Sequence, residues 1–379
     1  MNLKLVIPRD PLIFRDGKPF TAVPGERSKS LIFPYPATLA GAVRTRDGTN
    51  SGKSEFAKNR IEKLKELKIR GPVLVELETN GNIKEWYFPA PADAVFIQKE
   101  NNVNLYSLSP LNTGDRLSNI EDGLALVGAS ENIKDKPMSK PPLYWTWKML
   151  QTWLENSADI QDVKPAEYGI TGLERETRTH VGIEASTQSA LSGALFQTSG
   201  MEFVLAQEKL SHSRQLALAL QTDAKFESGV DFLGGERRVI RWEDVADKFP
   251  SYSDKDMDKI IGKIKADKHC RLILATPASF EQGYIPAKYK EQVKAVALPR
   301  YQTISGWDYD LSKPKPTRRL VPAGAVYFLD LEKVDINTFI KDVWLQPISD
   351  DVQSCNDGFG LALLGTWDGK FKKMEVKHE

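Results

Sequence analysis

Three clusters of basic and glycine residues are the parts of this chain best equipped for chemistry on a phosphate backbone. Gly234-Gly235-Glu236-Arg237-Arg238 sets paired glycines, which leave backbone N–H groups accessible, beside two guanidinium groups that can bind phosphate bidentately. Lys313-Pro314-Lys315-Pro316-Thr317-Arg318-Arg319 carries four cations, and its prolines hold themselves and their predecessors in extended backbone. A prestiffened basic segment can follow a polynucleotide at low ordering cost. It could equally be a solvated linker between strands. Arg175 to Gly182, with Arg178 and His180, runs into Ser186-Thr187-Gln188-Ser189 and Gly193, the texture of a polar hairpin tip. Such a tip could wedge into a single strand or be a mobile loop. Gly358-Phe359-Gly360 is a fourth, weaker signal, because one Gly-x-Gly also serves a bulge or tight turn.

Other chemistries lack their residues. No GxxxxGK[ST] is present, since Gly360 to Thr366 has no lysine where a phosphate-binding loop needs one. HExxH and G-x-S-x-G are absent too. The four histidines, His180, His212, His269 and His378, have no metal-ligand spacing, and Cys270 and Cys355 are too few and too far apart for a zinc site. His180 beside Arg178 is the one reasonable general base for a metal-independent endoribonuclease, and no second acid is identifiable. The expectation is therefore a non-enzyme with no catalytic residues, metal or cofactor.

Charge sets the scale of any binding surface. Across 379 residues, 52 Lys and Arg offset 51 Asp and Glu for a net charge of +1, so nucleic-acid binding must rest on local patches. Hydrophobic residues at 41% and charged residues at 27% are those of a globular chain. No apolar run approaches a membrane span, and Leu3–Ile7, broken by Lys4 and ended by Pro8, is too short for a signal peptide. A cytoplasmic protein without membrane contact is expected.

The elements that must position these clusters follow from periodicity. Leu3, Leu5 and Ile7 alternate as in a half-buried strand. After a loop from Pro8 to Ser30, Thr38 can cap a helix carrying Leu39, Ala42 and Val43, with Arg44 and Arg46 in its last turn. A second helix from Glu55 to Lys68 buries Phe56, Ile61, Leu64 and Leu67 and covers its other face with lysines, an RNA-facing stripe or simply a solvated face. Val73–Leu77 and Ile83–Phe88 flank Asn80-Gly81, a strong hairpin signal. A Trp-rich helix follows at about 144–154, and the whole stretch from about 50 to 165 reads as a large insertion. From Thr177 the texture is strand and hairpin, with strands at Phe203–Leu205 and Leu216–Leu220 and a tight turn at Gly234. Phe249-Pro250 and the charged run 251–256 mark a boundary.

Beyond it, strands at Arg271–Ala275, Gln302–Ser305, Gly324–Leu329 and Phe359–Leu364 alternate with a partly helical stretch at 278–296 and a helix at Ile336–Val343. That order is βαββαβ, the ferredoxin-like unit, a scaffold that also recognises RNA. The N-terminal half can be a second, heavily inserted copy. The expected class is α+β: a 1–248 domain with its insertion at about 50–165 and a protruding hairpin at about 178–206, then a 249–379 domain.

Taken in order, several segments resemble one family. They are Pro8-Arg-Asp-Pro-Leu-Ile-Phe-Arg-Asp-Gly17, Phe33-Pro-Tyr-Pro-Ala-Thr-Leu-Ala-Gly-Ala-Val-Arg44, His180-Val-Gly-Ile-Glu-Ala-Ser-Thr187, Leu195-Phe196, Leu233-Gly-Gly-Glu-Arg-Arg238, Ile304-Ser-Gly-Trp-Asp308, Lys315-Pro-Thr-Arg-Arg-Leu-Val-Pro-Ala-Gly324 and Gly358-Phe-Gly-Leu-Ala-Leu-Leu-Gly365. This series is similar to the Cmr-complex RAMP subunit that caps the crRNA 5′ end in type III-B CRISPR effectors. The resemblance implies two ferredoxin-like (RRM-like, RAMP) domains, a thumb hairpin at His180–Gly193 and glycine-rich RNA-facing loops at Gly234–Arg238 and Gly358–Gly360. It implies crRNA, through its 5′ tag, as ligand, with the large polymerase/cyclase-like subunit and a backbone RAMP subunit as partners. The candidate RNA-binding set is then Arg44, Arg178, His180, Gly182, Gly234, Gly235, Arg237, Arg238, Lys315, Arg318, Arg319, Gly358, Phe359 and Gly360. Phe359 and Trp307 are candidate stacking platforms, though an aromatic in such a place is more often core. Glu184 departs from the family's frequent Asp, which puts a tight turn bond there in question. A metal-independent endoribonuclease using His180 and a pure assembly scaffold are the competing readings.

Overall fold

The computed structural model describes residues 1–14, 31–49, 58–100, 102–113, 120, 123–129, 133–206, 213–250, 255–308 and 313–374. Most of the Pro8–Ser30 loop, the start of the lysine-rich helix and most of the 251–256 boundary run lie outside the described residues. Of Trp307 only the backbone is described.

The strand Asn2–Pro8 is buried on both faces rather than one, because its sheet is a middle layer. Leu3, Leu5 and Ile7 join one apolar cluster, while Val6 points to another with Leu39, Ala40 and Val43 of the helix Pro36–Thr49. Lys4 is buried among them, its Nζ donating to the Phe226 carbonyl at 2.7 Å and meeting Asp244. The helix starts at Pro36, ahead of Thr38; proline suits a first helical turn, where its missing N–H has no partner to lose.

A nine-stranded sheet forms the N-terminal half. Asn2–Pro8, Ile69–Leu77, Arg214–Thr222 and Val239–Asp244, numbered along the chain, lie in the spatial order fourth, first, third, second, with every neighbouring pair antiparallel. In the C-terminal half His269–Leu274, Val293–Ala297, Val326–Asp330 and Ala362–Thr366 repeat that order in a four-stranded sheet. Each half keeps one helical crossover. Pro36–Thr49 links the first two strands of the first half, and Ile336–Val343 with Val352–Asp357 links the last two of the second.

Three expectations are corrected. Ile69–Leu77 and Ile83–Pro89, joined through the Asn80-Gly81 turn, are integral to the main sheet and not part of an insertion. The second strand of the C-terminal sheet is Val293–Ala297, whereas Gln302–Ile304 pairs with Arg318–Leu320 in a separate ribbon. The Trp-rich segment splits into a strand, Tyr144–Thr146, and a helix, Trp147–Glu155, capped by Thr146.

The inserted stretch from about 90 to 143, whose described strands lie outside the main sheet, is tied to the C-terminal sheet by a buried ion pair. Arg271, 1% exposed, binds the fully buried Asp93, and its other donors reach the carbonyls of Trp153 at 2.6 Å and Thr366 at 2.8 Å. Trp153 Nε1 donates to the second Asp93 oxygen at 2.9 Å. With every charge-bearing atom met, the pair fixes the insertion without leaving a bare charge inside. One apolar cluster runs through Leu5, Val75, Trp145, Leu272, Phe328 and Leu363, so both halves share a core.

Candidate nucleic-acid interface

The Gly234 turn stands at the outer edge of the N-terminal sheet, between Gly229–Phe232 and Val239–Asp244. Gly234 has φ +79°, and a Cβ there would sit 2.5 Å from the Ile13 carbonyl oxygen. Only glycine fits this approach. The N–H of Gly235 donates to that same oxygen at 2.7 Å, so it anchors the turn and is not displayed for a phosphate. Glu236 and Arg237 both adopt positive φ, 60° and 50°, a strained pair held by this anchor. Arg237 lies over the exposed Phe232 ring at 4.6 Å, and Arg238 reaches back to Glu236 at 2.7 Å. Arg237 is thus the outward cation of the turn.

Lys313 to Arg319 is extended as its prolines require. The Lys315 N–H donates to Gly306 O at 2.8 Å and Ser305 Oγ donates to Lys315 O at 2.7 Å, which fixes the backbone and leaves the Lys315 ammonium in solvent. Arg319 lies over the Tyr301 ring at 4.9 Å, and Tyr301 is 53% exposed. Arg318 turns the other way. Its Nη1 donates to Ser354 Oγ at 2.8 Å, Asp351 is 3.8 Å away, and the guanidinium covers the Phe359 ring at 5.1 Å.

Phe359 itself is fully buried with Tyr35, Ile304 and Leu320, so it has no face on which a base could stack. Nor do the flanking glycines face outward. Gly358 caps the helix Val352–Asp357 at φ +95°, and a Cβ would approach the Gly71 and Ile69 carbonyl oxygens of the other half at 2.8 and 3.0 Å. The Gly360 N–H donates to Pro277 O at 2.8 Å. The loop expected to face RNA is in this chain an interior joint between the halves. Arg44 serves the same joint: it pairs with Asp357 at 2.6 Å and donates to the carbonyls of Leu64, Lys65 and Leu67.

Arg175–Ile183 and Ala190–Met201 form a two-stranded ribbon, largely exposed and tied at its base to the N-terminal segment by the Leu12–Met201 bridge. His180 and Phe196 face each other across it with ring centroids 5.1 Å apart and planes 17° apart, and His180 Nε2 meets Thr198 Oγ1 at 2.9 Å. Arg178, on the same face, pairs with Glu176 at 2.8 Å. Gly182 sits where the register shifts, its missing Cβ leaving room for Ala194, which would lie 3.0 Å from it. The turn bond at Glu184 is made: Thr187 Oγ1 donates to its carboxylate at 3.1 Å.

Between the two halves lies an apolar cleft of about 640 Å³. Phe33 and Tyr144, with ring centroids 5.5 Å apart, belong to one wall, with Pro72 and Pro89. Pro277, Pro299, Gln302 and Pro322 belong to the other, and Arg300 stands at its rim. Burial pushes the Tyr144 phenol well above its ordinary range, so it stays neutral and can only hydrogen-bond. Arg300 and Lys315 pair with no carboxylate among the described residues. Gln302 joins the cleft directly to the ribbon that carries Arg319, because its strand pairs with Arg318–Leu320.

The model of the CRISPR-associated protein family Cas_Cmr3 matches residues 5–367. The chain belongs to this family. Among curated proteins none matches by sequence. A chain in a cryo-EM structure of the type III-B Cmr-beta complex bound to cognate target RNA is similar at 17% identity and TM-score 0.47, covering 90% of this chain and 89% of that one. A second such structure, with AMPPnP, gives 18% and 0.46 over 90% and 88%. A chain of the Csm3–Csm4 subcomplex of a type III-A interference complex gives 11% and 0.37 over 97% and 99%.

Within this Cas_Cmr3 chain, Arg237, Lys315 and Arg319 are outward cations, and Arg178 and His180 share the hairpin face. Arg44, Gly358, Phe359 and Gly360 are interior. The cleft residues Phe33, Tyr144 and Arg300 with Gln302 come from three separate parts of the sequence and meet only through the approach of the two halves. The local signals are Phe33-Pro34-Tyr35-Pro36 and Pro299-Arg300, proline beside an aromatic or a cation.

Proposed function

We propose that this chain is a non-catalytic crRNA-binding subunit of a type III-B CRISPR effector. It clamps the repeat-derived 5′ tag of the guide and docks the large polymerase/cyclase-like subunit onto the backbone RAMP subunit in the cytoplasm. Its two halves are read as ferredoxin-like domains on the strength of their repeated strand order. The observation that carries the reading is a run of exposed cations next to an apolar wall: Arg300 lines the cleft, and Lys315 and Arg319, the latter over Tyr301, follow on the segment that leads into the strand paired with Gln302–Ile304. Cations for phosphates and flat or apolar surface for bases are what unpaired RNA needs. The non-catalytic reading is supported by His180, whose ring is engaged by Phe196 and Thr198, neither of which is an acid or a nucleophile-positioning base.

The test is binding of labelled single-stranded RNA with and without the 5′ tag, with the large subunit present and absent, across a range of salt. Tag-dependent affinity that falls by about 0.7 log unit per log unit of salt for each phosphate neutralised supports the clamp. Equal binding of tagged and untagged RNA, even with the large subunit, would overturn tag recognition and favour a scaffold.

A further inference from the structure

We propose that Arg318 is a positioning residue, which pins the register of the short ribbon presenting Arg319 and binds no phosphate itself; this rests on the RNA-binding reading above. The ribbon has little else to fix it. Gln302–Ile304 and Arg318–Leu320 make three pairs, Gln302 with Leu320, Thr303 with Arg319 and Ile304 with Arg318. The two strands join no other sheet among the described residues, and a two-stranded ribbon is marginal by itself. Side chains alternate between its faces, so Gln302, Ile304, Arg318 and Leu320 share one face, and Thr303 and Arg319 the other. Burial agrees: Ile304 and Leu320 pack with Tyr35 and Phe359, Arg318 is half-buried, and Thr303 and Arg319 are exposed.

Arg318 is thus a cation on the core-facing side of a strand, and its partners there are directional. Its Nη1 donates to Ser354 Oγ at 2.8 Å and reaches Ser279 Oγ at 3.4 Å, while its guanidinium lies over the Phe359 ring at 5.1 Å. Ser354 is 1% exposed and sits in the helix Val352–Asp357, capped by Asp351, which accepts from Ser354 N at 2.7 Å and stands 3.8 Å from Arg318. These partners belong to the joint between the halves and do not move with the ribbon. A one-residue slip would turn Arg318 to solvent and drive Arg319 against the core. Apolar contacts at Ile304 and Leu320 oppose sliding weakly, whereas a polar group bonded on an apolar face selects one register. Arg319, one residue on and on the opposite face, is thereby held outward over Tyr301 at 4.9 Å.

Two readouts test this on the full chain. The first is hydrogen exchange without RNA. Arg318→Ala should speed exchange of the 302–304 and 318–320 amides about tenfold and leave the four-stranded sheet unchanged. Ser354→Ala, which removes a buried hydroxyl and no charge, should do the same more weakly. The second is anisotropy of labelled repeat-derived 5′-tag RNA, with the large subunit present, across a range of salt. Arg319→Ala should lower affinity about fivefold, as one charge-assisted contact implies, and the salt slope by about 0.7. In that background, Arg318→Ala should change affinity less than about twofold and leave the slope alone, because the contact it serves is already gone. A further fall of about 0.7 in slope would make Arg318 a phosphate ligand and overturn the proposal. Unchanged exchange of the ribbon in Arg318→Ala overturns it as well, whatever the RNA does. If the wild type binds no tag RNA, the RNA-binding reading falls, and exchange still decides whether Arg318 pins the ribbon. Should Arg318→Ala lose its melting transition, Ser354→Ala carries both readouts in its place.

Discussion

Two glycine turns, Gly234–Arg238 and Gly358–Gly360, look alike in sequence and occupy opposite environments. Both need glycine at positive φ, and both press against backbone carbonyls of a distant segment, Ile13 in one case and Ile69 with Gly71 in the other. At the first the pressing segment lies on one side only, so Arg237 and Phe232 remain in solvent. At the second the other half of the molecule closes over it, and Phe359 becomes core. A glycine pattern therefore reports a close approach of backbones. Whether the far side of the turn meets solvent is settled by packing between residues almost 290 positions apart.

Substitutions can break that contrast. Phe359→Ala should cost about 3–5 kcal/mol of stability, the range for emptying a buried aromatic site. RNA affinity of the folded fraction should hold; a loss of affinity at unchanged melting temperature would restore Phe359 as a stacking platform. Gly358→Ala should cost about 1–3 kcal/mol globally, from left-handed backbone strain. Gly234→Ala, at the exposed turn, should instead shift the loop and lower RNA affinity more than it lowers the melting temperature.

Arg237→Ala sharpens the comparison from the other side. It should change stability by no more than about 0.5 kcal/mol and reduce the salt slope of RNA binding by about 0.7. On the non-catalytic reading neither the wild type nor His180→Ala should cleave RNA, and the change should cost at most about 1 kcal/mol from the lost ring pair. Disappearance of a cleavage activity from pure protein with this change would sink the non-enzyme reading.

The smallest effect is expected at the base of the hairpin. Burial raises the Glu202 carboxyl above its ordinary value, Glu176 and Glu174 raise it further, and Arg178 opposes them. The folded state then holds this proton more tightly than the unfolded one. Stability therefore falls as pH rises from the ordinary carboxylate range through the raised value, and it stays lower above that. Glu202→Gln should flatten this fall, seen as a slightly higher melting temperature at neutral pH and none in acid.

Local elements were legible where local chemistry specifies them. Asn80-Gly81 makes its hairpin, with Gly81 at φ +88°, and Ile336–Val343 begins after Asp335, whose carboxylate accepts from Thr338 N. The two-stranded ribbon at 175–201 follows from its polar tip. Less legible was anything set by a second layer. Lys4 looks like the solvent position of an alternating strand, but Phe226 and Asp244 close over it. Val293–Ala297 and Gln302–Ile304 are both short candidate strands, and only pairing with Val326–Asp330 tells which belongs to the sheet. Arg44 and Arg319 look equally cationic, yet one ends on Asp357 and the other on an exposed tyrosine.

The apolar cluster that runs from Leu5 through Trp145 to Phe328 makes the cleft a fixed jaw, because both walls grow from one packed body. Calorimetry should record a single heat-absorption peak for the whole chain. Cutting it near residue 249 should yield two fragments that expose their halves of that cluster and precipitate when made apart. A guide strand entering such a jaw would bear nearly all of the ordering entropy itself, and the register it adopts would be dictated by the protein's shape before any partner arrives.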